Sequence, residues 1–380
     1  MSDSHATTHF KELGLLAIVE VTNVCNLRCG YCYLGPLKSG DMSPETVKQV
    51  VGEFIKYNQS QQKLSKFYWH GGEPTLRGVP FFREVLRYAD ELSGEKVIHA
   101  IQSNGVILDE EWMTFLSEHD MGLGISLDGL DDSHNIGRSF ANGAPSNKEV
   151  LKTLDRLAKT NIPVGILFTL HQRNRQQVQK VFHFCRERGF EFGLNALTRT
   201  PYHQTFEDNA PSPEMYADAV IEVFDLWLNQ PAGERRIKAN PPVGLVRAIL
   251  TLTGGGECSH CTNCNEVIMA IRPNGDVYPC NRFSGMNRFR FGNIASDGLR
   301  ACLQHQHRMK ILARNYQVIE RCRTCDIGSI CNAGCMGQAH GEYGTIFRED
   351  PLCDAYKRIF HYAQQTINNN LITRKEVQYA

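Results

Sequence analysis

Short apolar runs alternate with amphipathic stretches along the first half of the chain. Each run is rich in Val, Ile, Leu and Phe, which is typical of a buried strand, and each stretch between runs has the spacing of a helix. The first helix begins at Ser43-Pro44, a hydroxyl N-cap followed by proline in the first turn. The predicted strands are Leu15–Val21, Phe67–His70, Val97–Ile101, Gly122–Ser126, Val164–Leu170 and Phe190–Leu197, and the other predicted helices cover about 79–93, 109–119, 147–160 and 174–188.

Strand-then-helix units in succession predict an α/β fold with parallel strands and right-handed helical crossovers. Polar or glycine-rich segments follow three of these strands, at 71–74, 102–105 and 127–129. Each segment alone is compatible with an ordinary turn. Because parallel strands present their carboxyl ends at one edge, where α/β proteins bind ligands, the pattern predicts a ligand site built from several loops.

A change in composition marks the end of this region. An amphipathic helix is predicted over 211–229, and residues 230–242 are rich in proline and charge. A short predicted helix near 243–252 then precedes a cysteine-rich tail. We therefore predict two domains, at 15–235 and 236–380.

Charge and hydropathy argue against several classes of function. The chain has 41 Lys and Arg against 41 Asp and Glu, so composition indicates no basic surface for nucleic acid. Its first dozen residues lack the apolar core of a signal peptide. No apolar run reaches the roughly 20 residues that a membrane-spanning helix needs. The sequence therefore predicts a cytoplasmic protein without a nucleic-acid or membrane partner.

The fourteen cysteines change this picture, because they are clustered at two places. Cys25, Cys29 and Cys32 follow the first predicted strand with the spacing C-x3-C-x2-C, and ten others lie between Cys258 and Cys353. Clustered cysteines in a reducing compartment indicate metal rather than disulfides. Three thiolates can hold three corners of a [4Fe–4S] cluster and leave the fourth iron open, whereas a zinc knuckle needs a distant fourth ligand. Both interpretations stay open from the spacing alone.

Further motifs resemble the radical S-adenosylmethionine (SAM) superfamily. They are the three cysteines with Tyr31 before the last, the segment Gly71-Gly72-Glu73-Pro74, which resembles the family's GGEP motif, and Ser126-Leu127-Asp128-Gly129 with Arg138. This resemblance implies a partial (β/α)6, TIM-like barrel and a [4Fe–4S] cluster held by Cys25, Cys29 and Cys32. It also implies a SAM site, whose residues would be Tyr31, Gly72, Glu73, Gln102, Ser126, Asp128, Arg138 and Leu197.

The tail resembles the cysteine-rich SPASM extension, which carries auxiliary iron–sulfur clusters. The resemblance implies one cluster on Cys322, Cys325, Cys331 and Cys353, and another on Cys258, Cys264, Cys280 and Cys335. With the SAM-binding cluster this makes three. Cys261 competes with Cys258 and Cys264 for a ligand position, and a zinc ribbon made by Cys322 and Cys325 with Cys258 and Cys261 is the alternative.

The resemblance implies an oxidoreductase that modifies a peptide by hydrogen abstraction through a 5′-deoxyadenosyl radical. Two branches compete, anaerobic sulfatase maturases that form formylglycine and maturases that cross-link ribosomally made peptides. In the first branch an aspartate follows the cysteine equivalent to Cys280 and takes up a proton, but Asn281 stands here and cannot act as a base. We therefore predict a cross-link, C–C to an aromatic side chain of the cyclophane type, with a thioether as a further alternative.

The remaining expectations concern proton transfer and partners. His70 and His171 follow predicted strands and are candidate proton acceptors, although both are also compatible with a structural role. The expected partners are a precursor peptide and an electron donor such as flavodoxin or ferredoxin. Since the first strand begins near residue 15, we expect no N-terminal leader-binding domain.

Overall fold

The structure is a computed structural model that describes residues 13–34, 40–199, 209–231, 235–252 and 264–378. The predicted α/β fold is confirmed. Its six predicted strands are present as β1 (Leu13–Thr22), β2 (Leu64–Gly71), β3 (Ile98–Ser103), β4 (Gly122–Ser126), β5 (Val164–Leu170) and β6 (Glu191–Ala196). Each pairs in parallel with its sequence neighbours, as the alternation of strands and helices predicts.

The helices of the predicted amphipathic stretches are present, together with others, mainly in the tail, that the pattern did not predict. They are α1 (Pro44–Ser60), α2 (Gly78–Ser93), α3 (Glu110–Glu118), α4 (Ser133–Gly137), α5 (Asn147–Leu157), α6 (Val178–Arg188), α7 (Pro213–Leu228), α8 (Pro242–Thr251), α9 (Cys264–Val267), α10 (Gly298–Gln304), α11 (Gln306–Leu312), α12 (Gly328–Cys331), α13 (Met336–Tyr343) and α14 (Cys353–Gln378). Ser43 caps α1, since its side chain accepts a hydrogen bond from Thr46 N at 3.1 Å.

Four short strands that the sequence pattern does not reveal extend the sheet at both edges. They are β7 (Ala239–Asn240), β8 (Ile268–Ile271), β9 (Asp276–Tyr278) and β10 (Gly292–Asn293), and the order of the sheet is β10-β9-β8-β1-β2-β3-β4-β5-β6-β7. Strand β8 of the tail lies parallel to β1, and β9 and β10 continue antiparallel. The cysteine-rich tail therefore packs directly beside the cysteine loop, which follows β1. The domain boundary near residue 235 stays a prediction.

The two faces of the sheet are covered differently. One face buries aromatic side chains under the helices, as where Phe67 meets Phe54 of α1 and Trp69 meets Phe82 of α2. On the other face, which we call the open face, small residues recur in register; Gly124 and Gly165 are one such pair. Both glycines are partly exposed, and the space around Gly165 is empty within 4 Å of where a side chain would begin. The open face thus has room for ligands.

None of the helices in the described part of the chain combines the length and the apolar character required to cross a membrane.

Candidate functional site

The cysteine loop is held between the loops that follow β2 and β4. Gly72 N and Glu73 N donate hydrogen bonds to Thr22 O and Val24 O, both at 2.8 Å, which prolongs the pairing of β1 with β2. On the opposite side Arg28 N donates to Ser139 O at 2.8 Å. Backbone hydrogen bonds therefore position the loop.

The three thiols of this loop share one buried environment. Burial is the main cause that raises the pKa of Cys25 to about 11 and that of Cys29 to about 12, although Arg138 opposes the rise at Cys29. Thiols of this kind lose their protons when iron binds them. In addition, the amide Nδ2 of Asn26 is buried without a hydrogen-bond partner, and Asn104 Nδ2 lies 3.9 Å from Cys25 Sγ. This donor set fits an iron–sulfur cluster, whose sulfurs accept such hydrogen bonds.

A single metal ion does not fit the arrangement equally well. Among the residues that the structure describes, no three His, Cys, Asp or Glu side chains converge closely enough for one ion. A tetrahedral zinc site would hold its sulfurs about 2.3 Å from one centre. A cube of iron and sulfide spaces its ligands further apart. The geometry thus favours the cluster over the zinc knuckle.

Gly72 illustrates why this site needs glycine in the segment after β2. A Cβ atom at this position would lie 2.2 Å from Val24 O and 2.7 Å from Val24 C, both backbone atoms of the cysteine loop. We expect Gly72→Ala to displace the loop and to lower the free energy of unfolding by about 1–3 kcal/mol, as overpacking does. Iron content and thermal unfolding of the purified protein measure the effect.

Gly165→Ala is the matched control for this substitution, because no atom lies within 4 Å of its added Cβ. It should keep the wild-type iron content and unfolding temperature. Equal losses of iron and of stability in the two variants would show that the contact of residue 72 with the cysteine loop does not cause the effect of Gly72→Ala.

Asp128 is the centre of a buried polar cluster behind the cysteine loop. Its Oδ2 accepts a hydrogen bond from Arg138 Nε at 2.8 Å and another from the hydroxyl of Tyr31, and its Oδ1 accepts one from Thr169 N at 2.9 Å. Burial raises the pKa of this carboxyl, but Arg138, His134 and the hydrogen bonds more than offset burial, so the pKa lies below its ordinary value. Asp128 therefore stays ionised and ties β4 and β5 to the loop.

Arg138 joins this cluster to the proposed cluster ligands. Its Nη1 lies 4.0 Å from Cys29 Sγ, and its guanidinium lies 5.2 Å from the centre of the Tyr31 ring. The expected role of Arg138 in holding the carboxylate of SAM stays a prediction, but the structure places a fixed positive charge between Asp128 and the cysteines. A carboxylate ligand in that position would be attracted to it.

The other predicted SAM residues occupy the carboxyl ends of neighbouring strands. Gln102 Nε2 donates to Ser126 Oγ at 3.2 Å, and Gln102 Oε1 accepts from Tyr68 OH at 2.9 Å. The side chain of Glu73 is buried and accepts hydrogen bonds from Thr75 and from the backbone of Asn104. It therefore fixes two of the loops that surround the site.

Leu197 lies further along the same edge of the sheet. Its N–H donates to Leu170 O at 2.9 Å and its side chain is buried. Leu197 thus continues the pairing of β5 and β6 beyond the end of β6. The role of its backbone in holding adenine, which the resemblance implies, stays a prediction.

The two histidines named as proton acceptors differ in position. His70 is the penultimate residue of β2, on the open face, where its Nδ1 accepts a hydrogen bond from Gly71 N at 2.8 Å, and burial lowers its pKa to about 4. His171 follows β5, and its Nδ1 accepts from Arg173 N at 3.2 Å within a turn. Burial also lowers the pKa of His171. Both rings are therefore neutral near pH 7, and His70 is the one that contacts the cysteine loop, through Tyr33.

That contact belongs to a polar group that sequence reasoning missed. Asn281 Nδ2 donates to Tyr33 OH at 2.8 Å, and Tyr33 OH lies 3.2 Å from His70 Nδ1. Beside them, Ser284 Oγ donates to Glu20 Oε1 at 2.5 Å. The one signal in the sequence is a glutamate inside the apolar run of β1, which an ordinary buried strand would not contain.

The second half of the tail brings one predicted quartet together. Cys322, Cys325, Cys331 and Cys353 line one partly open cavity. Burial raises the pKa of Cys322 to about 11, and a bound cation would favour the ionised form of this thiol. Asp350, which lines the cavity, accepts a hydrogen bond from Cys335 N at 2.8 Å. The donor set and the cavity fit a fully ligated auxiliary cluster.

The other quartet is only partly visible. Cys258 and Cys261 lie outside the described residues, so the choice between them stays open. Cys264 begins α9, Cys280 follows β9, and Cys335 precedes α13 with its Sγ 2.9 Å from Arg282 Nη1. A guanidinium beside a thiolate is a common means of stabilising a metal-bound sulfur. The ligand role of these three residues stays a prediction.

Comparisons with known proteins agree with this geometry. A radical SAM superfamily model matches residues 19–185, and an iron–sulfur cluster-binding (SPASM) domain model matches residues 258–326. The chain is a radical SAM enzyme with a SPASM domain. Iron–sulfur clusters and SAM are accordingly its cofactors, and the predicted fold of the radical SAM enzyme is confirmed.

Two similar relatives of this radical SAM enzyme are anaerobic sulfatase-maturating enzymes. The cysteine-type enzyme of Clostridium perfringens is 26% identical over 359 residues, covering 92% of this chain and 95% of the relative. The serine-type enzyme of Bacteroides thetaiotaomicron is 26% identical over 395 residues, covering 94% and 91%.

Two solved structures share the fold. Native anSMEcpe with bound AdoMet has a TM-score of 0.83 at 24% identity, covering 93% of this chain and 98% of that one. SuiB of Streptococcus suis bound to its precursor peptide SuiA has a TM-score of 0.67 at 17% identity, covering 89% and 75%. At these identities the likeness supports the fold alone.

Proposed function

We propose that this radical SAM enzyme matures a ribosomally made precursor peptide by cross-linking it, forming a C–C bond between a side-chain carbon and an aromatic ring in the manner of a cyclophane. The observation that carries this proposal is Asn281. This residue directly follows Cys280 and donates its amide to Tyr33 at 2.8 Å. A neutral donor in this place supports radical coupling to a ring over deprotonation of a substrate thiol or alcohol.

When bound, SAM and the clusters supply a radical that removes hydrogen from an unactivated C–H bond, together with one-electron acceptors for the oxidation that follows. The chain contributes position. Cys25, Cys29 and Cys32 would hold the SAM-binding cluster. The polar edge formed by Gln102 and Ser126 would orient SAM, and the open face would admit a peptide side chain while the helices behind it exclude water.

The sulfatase-maturase alternative is supported by the relatives of 26% identity, a cysteine-type and a serine-type anaerobic sulfatase-maturating enzyme. The cross-linking proposal is supported at the level of fold by SuiB, which binds a precursor peptide. A thioether is a second possible cross-link. In either branch we propose a peptide or protein substrate, and an electron donor such as flavodoxin or ferredoxin as a further partner.

One assay distinguishes peptide cross-linking from formylglycine formation. The enzyme is reconstituted anaerobically, supplied with SAM and dithionite, and offered peptides encoded beside its gene together with sulfatase peptides that carry Cys or Ser. We expect 5′-deoxyadenosine and a product that lacks two hydrogen atoms and carries a bond to an aromatic ring in its fragmentation spectrum. An aldehyde captured by a hydrazide probe on a sulfatase peptide would overturn the preference for cross-linking. Absence of 5′-deoxyadenosine under all conditions would overturn both branches.

Replacement of Asn281 by the aspartate that is typical of sulfatase maturases tests the role of this position. We expect Asn281→Asp to place a carboxylate beside Tyr33 and to create measurable formylglycine formation on a Cys-type sulfatase peptide, whereas the unmodified enzyme forms none. The gain should be about 10²-fold or more over background, which is typical of an added general base. Hydrazide capture followed by mass spectrometry measures it.

Asn281→Ser is the matched control, since it changes the same residue without adding a base. Formylglycine produced by the serine variant, or by the unmodified enzyme at the level of the aspartate variant, would contradict this reasoning.

A further inference from the structure

A buried carboxylate on the open face has no role in the arrangement described so far. Glu20 lies near the carboxyl end of β1, opposite His70 in the register of β1 and β2, and its side chain is fully buried. Its Oε1 accepts the hydrogen bond from Ser284 at 2.5 Å. Its Oε2 is buried without a hydrogen-bond partner, although Arg272 Nε lies 3.7 Å away. A carboxylate oxygen without a donor is costly in a core and calls for a reason.

The position of Glu20 gives that reason. Ser284 and Asn281 belong to the segment after Cys280, and Asn281 contacts Tyr33 of the cysteine loop, which in turn contacts His70. Glu20 therefore lies where the cysteine loop, the end of β2 and the tail meet. This junction adjoins the cysteine loop on the open face, the face that the proposed function assigns to the substrate.

The groups around Glu20 differ in their affinity for a proton. Burial raises the pKa of Glu20 to about 7, although Ser284 and Arg272 lower it. Burial lowers the pKa of His70 to about 4 and raises that of Tyr33 well above its ordinary value. Arg272 faces the carboxylate from the end of β8, and Cys32 faces it from the cysteine loop. Glu20 is therefore the neighbour suited to gain and lose a proton near neutral pH.

We propose that Glu20 is the proton acceptor of the modification reaction, and that Ser284 and Arg272 position its carboxylate. This inference rests on the proposed cross-linking function. When the substrate carbon radical bonds to the aromatic ring, the ring carbon must lose one proton and one electron to become aromatic again. The proton passes to Glu20 Oε2, which becomes a neutral acid and later releases it to water, and the electron leaves to a one-electron acceptor of the iron–sulfur class.

Two variants test the proposal on the reconstituted holoenzyme. Glu20→Gln keeps the shape of the side chain and an oxygen that accepts from Ser284, but it removes the base. We expect unchanged iron content and SAM cleavage, with cross-linked product per 5′-deoxyadenosine reduced about 10²–10⁴-fold. Ser284→Ala keeps the carboxylate but removes a donor that lowers its pKa. In the wild type we expect the rate of product formation to decrease as the pH is lowered through about 7, because Glu20 becomes protonated. We call this decrease the acid limb, and in Ser284→Ala we expect it to occur at higher pH.

A purely structural role for Glu20 predicts a different result. Ser284→Ala would then lose as much product as Glu20→Gln at every pH, without a shift of the acid limb, and this would overturn the proposal. Product from Glu20→Gln within threefold of the wild type would overturn it as well. If Glu20→Gln does not retain its clusters, the shift of the acid limb in Ser284→Ala decides the question alone.

A spectroscopic experiment tests proton exchange at Glu20 independently of the proposed cross-linking function. Infrared difference spectra of the wild-type holoenzyme between pH 5 and 9 should show a protonated carboxyl band that titrates near neutral pH and moves in Ser284→Ala. Absence of such a band overturns the role of Glu20 whatever the substrate is. If the band is present but no peptide is cross-linked, the proposed cross-linking function fails, while the proton exchange at Glu20 stands.

Discussion

Cys29→Ala abolishes the formation of 5′-deoxyadenosine and removes the iron of one cluster. We expect this result because Cys29 is the middle thiol of the loop after β1 and lies beside Arg138, with its Sγ 4.0 Å from Nη1. Backbone hydrogen bonds to Ser139 and from Glu73 fix the loop in which this thiol lies. Iron and sulfide analysis, the spectrum of the reduced cluster and a chromatographic assay of 5′-deoxyadenosine measure the loss.

Cys185→Ala is the matched control. Cys185 is fully buried, whereas Cys29 is half-buried, and Cys185 lies in α6 within the apolar core, far in sequence from either cysteine cluster. We expect full iron content and normal SAM cleavage from this variant, with a modest loss of stability from the smaller side chain. A Cys29→Ala protein that still cleaves SAM, or a Cys185→Ala protein that loses the same iron, would refute the assignment of the cysteine loop.

Arg138→Ala causes the largest expected loss of stability. Asp128 has no exposed surface and Arg138 has 11% of its side chain exposed, so removal of the guanidinium leaves an ionised carboxylate buried without its cation. A broken buried pair of this kind costs about 3–5 kcal/mol of unfolding free energy. We also expect weaker SAM binding, since the positive charge between Asp128 and Cys29 is lost. Denaturant unfolding and equilibrium binding of SAM to the reconstituted protein measure the two effects.

Two further variants show whether the broken Asp128–Arg138 ion pair causes the loss of stability. Arg138→Lys retains the charge but loses the planar fork, and we expect it to lose clearly less stability than Arg138→Ala. The double variant Asp128→Asn with Arg138→Ala removes both charges. Its loss should be smaller than the sum of the two single losses, because each single variant leaves one buried charge unpaired. Strict additivity of the single losses would contradict this interpretation.

Much of the fold follows from local pattern. The apolar run of β5 was predicted at the same residues, Val164–Leu170, and the helix that begins after Ser43 was predicted from its cap and proline. The strands of the tail were not predicted, because β9 and β10 are too short to show a period. They exist because the backbone of the tail pairs with the rest of the sheet through β8.

In the candidate site, too, some features were visible in the sequence and others depend on the fold. The spacing of Cys25, Cys29 and Cys32 was visible in the sequence, because all three thiols lie in one short loop. The meeting of Cys322 with Cys353 was expected only through the family resemblance, and the cavity that both line depends on how the tail folds back on itself.

The sequence by itself determined the alternation of strands and helices, the cysteine loop and the edge of the sheet at which ligands bind, because each of these depends on residues close together in the chain. The tertiary structure alone decided that Asp128 pairs with Arg138 behind the loop, and that Glu20 meets Ser284, 264 residues away. The second contact forms because β8 pairs in parallel with β1, which brings Arg272 and the segment after Cys280 over the end of β1. No local pattern of hydrophobic and polar residues records such a pairing.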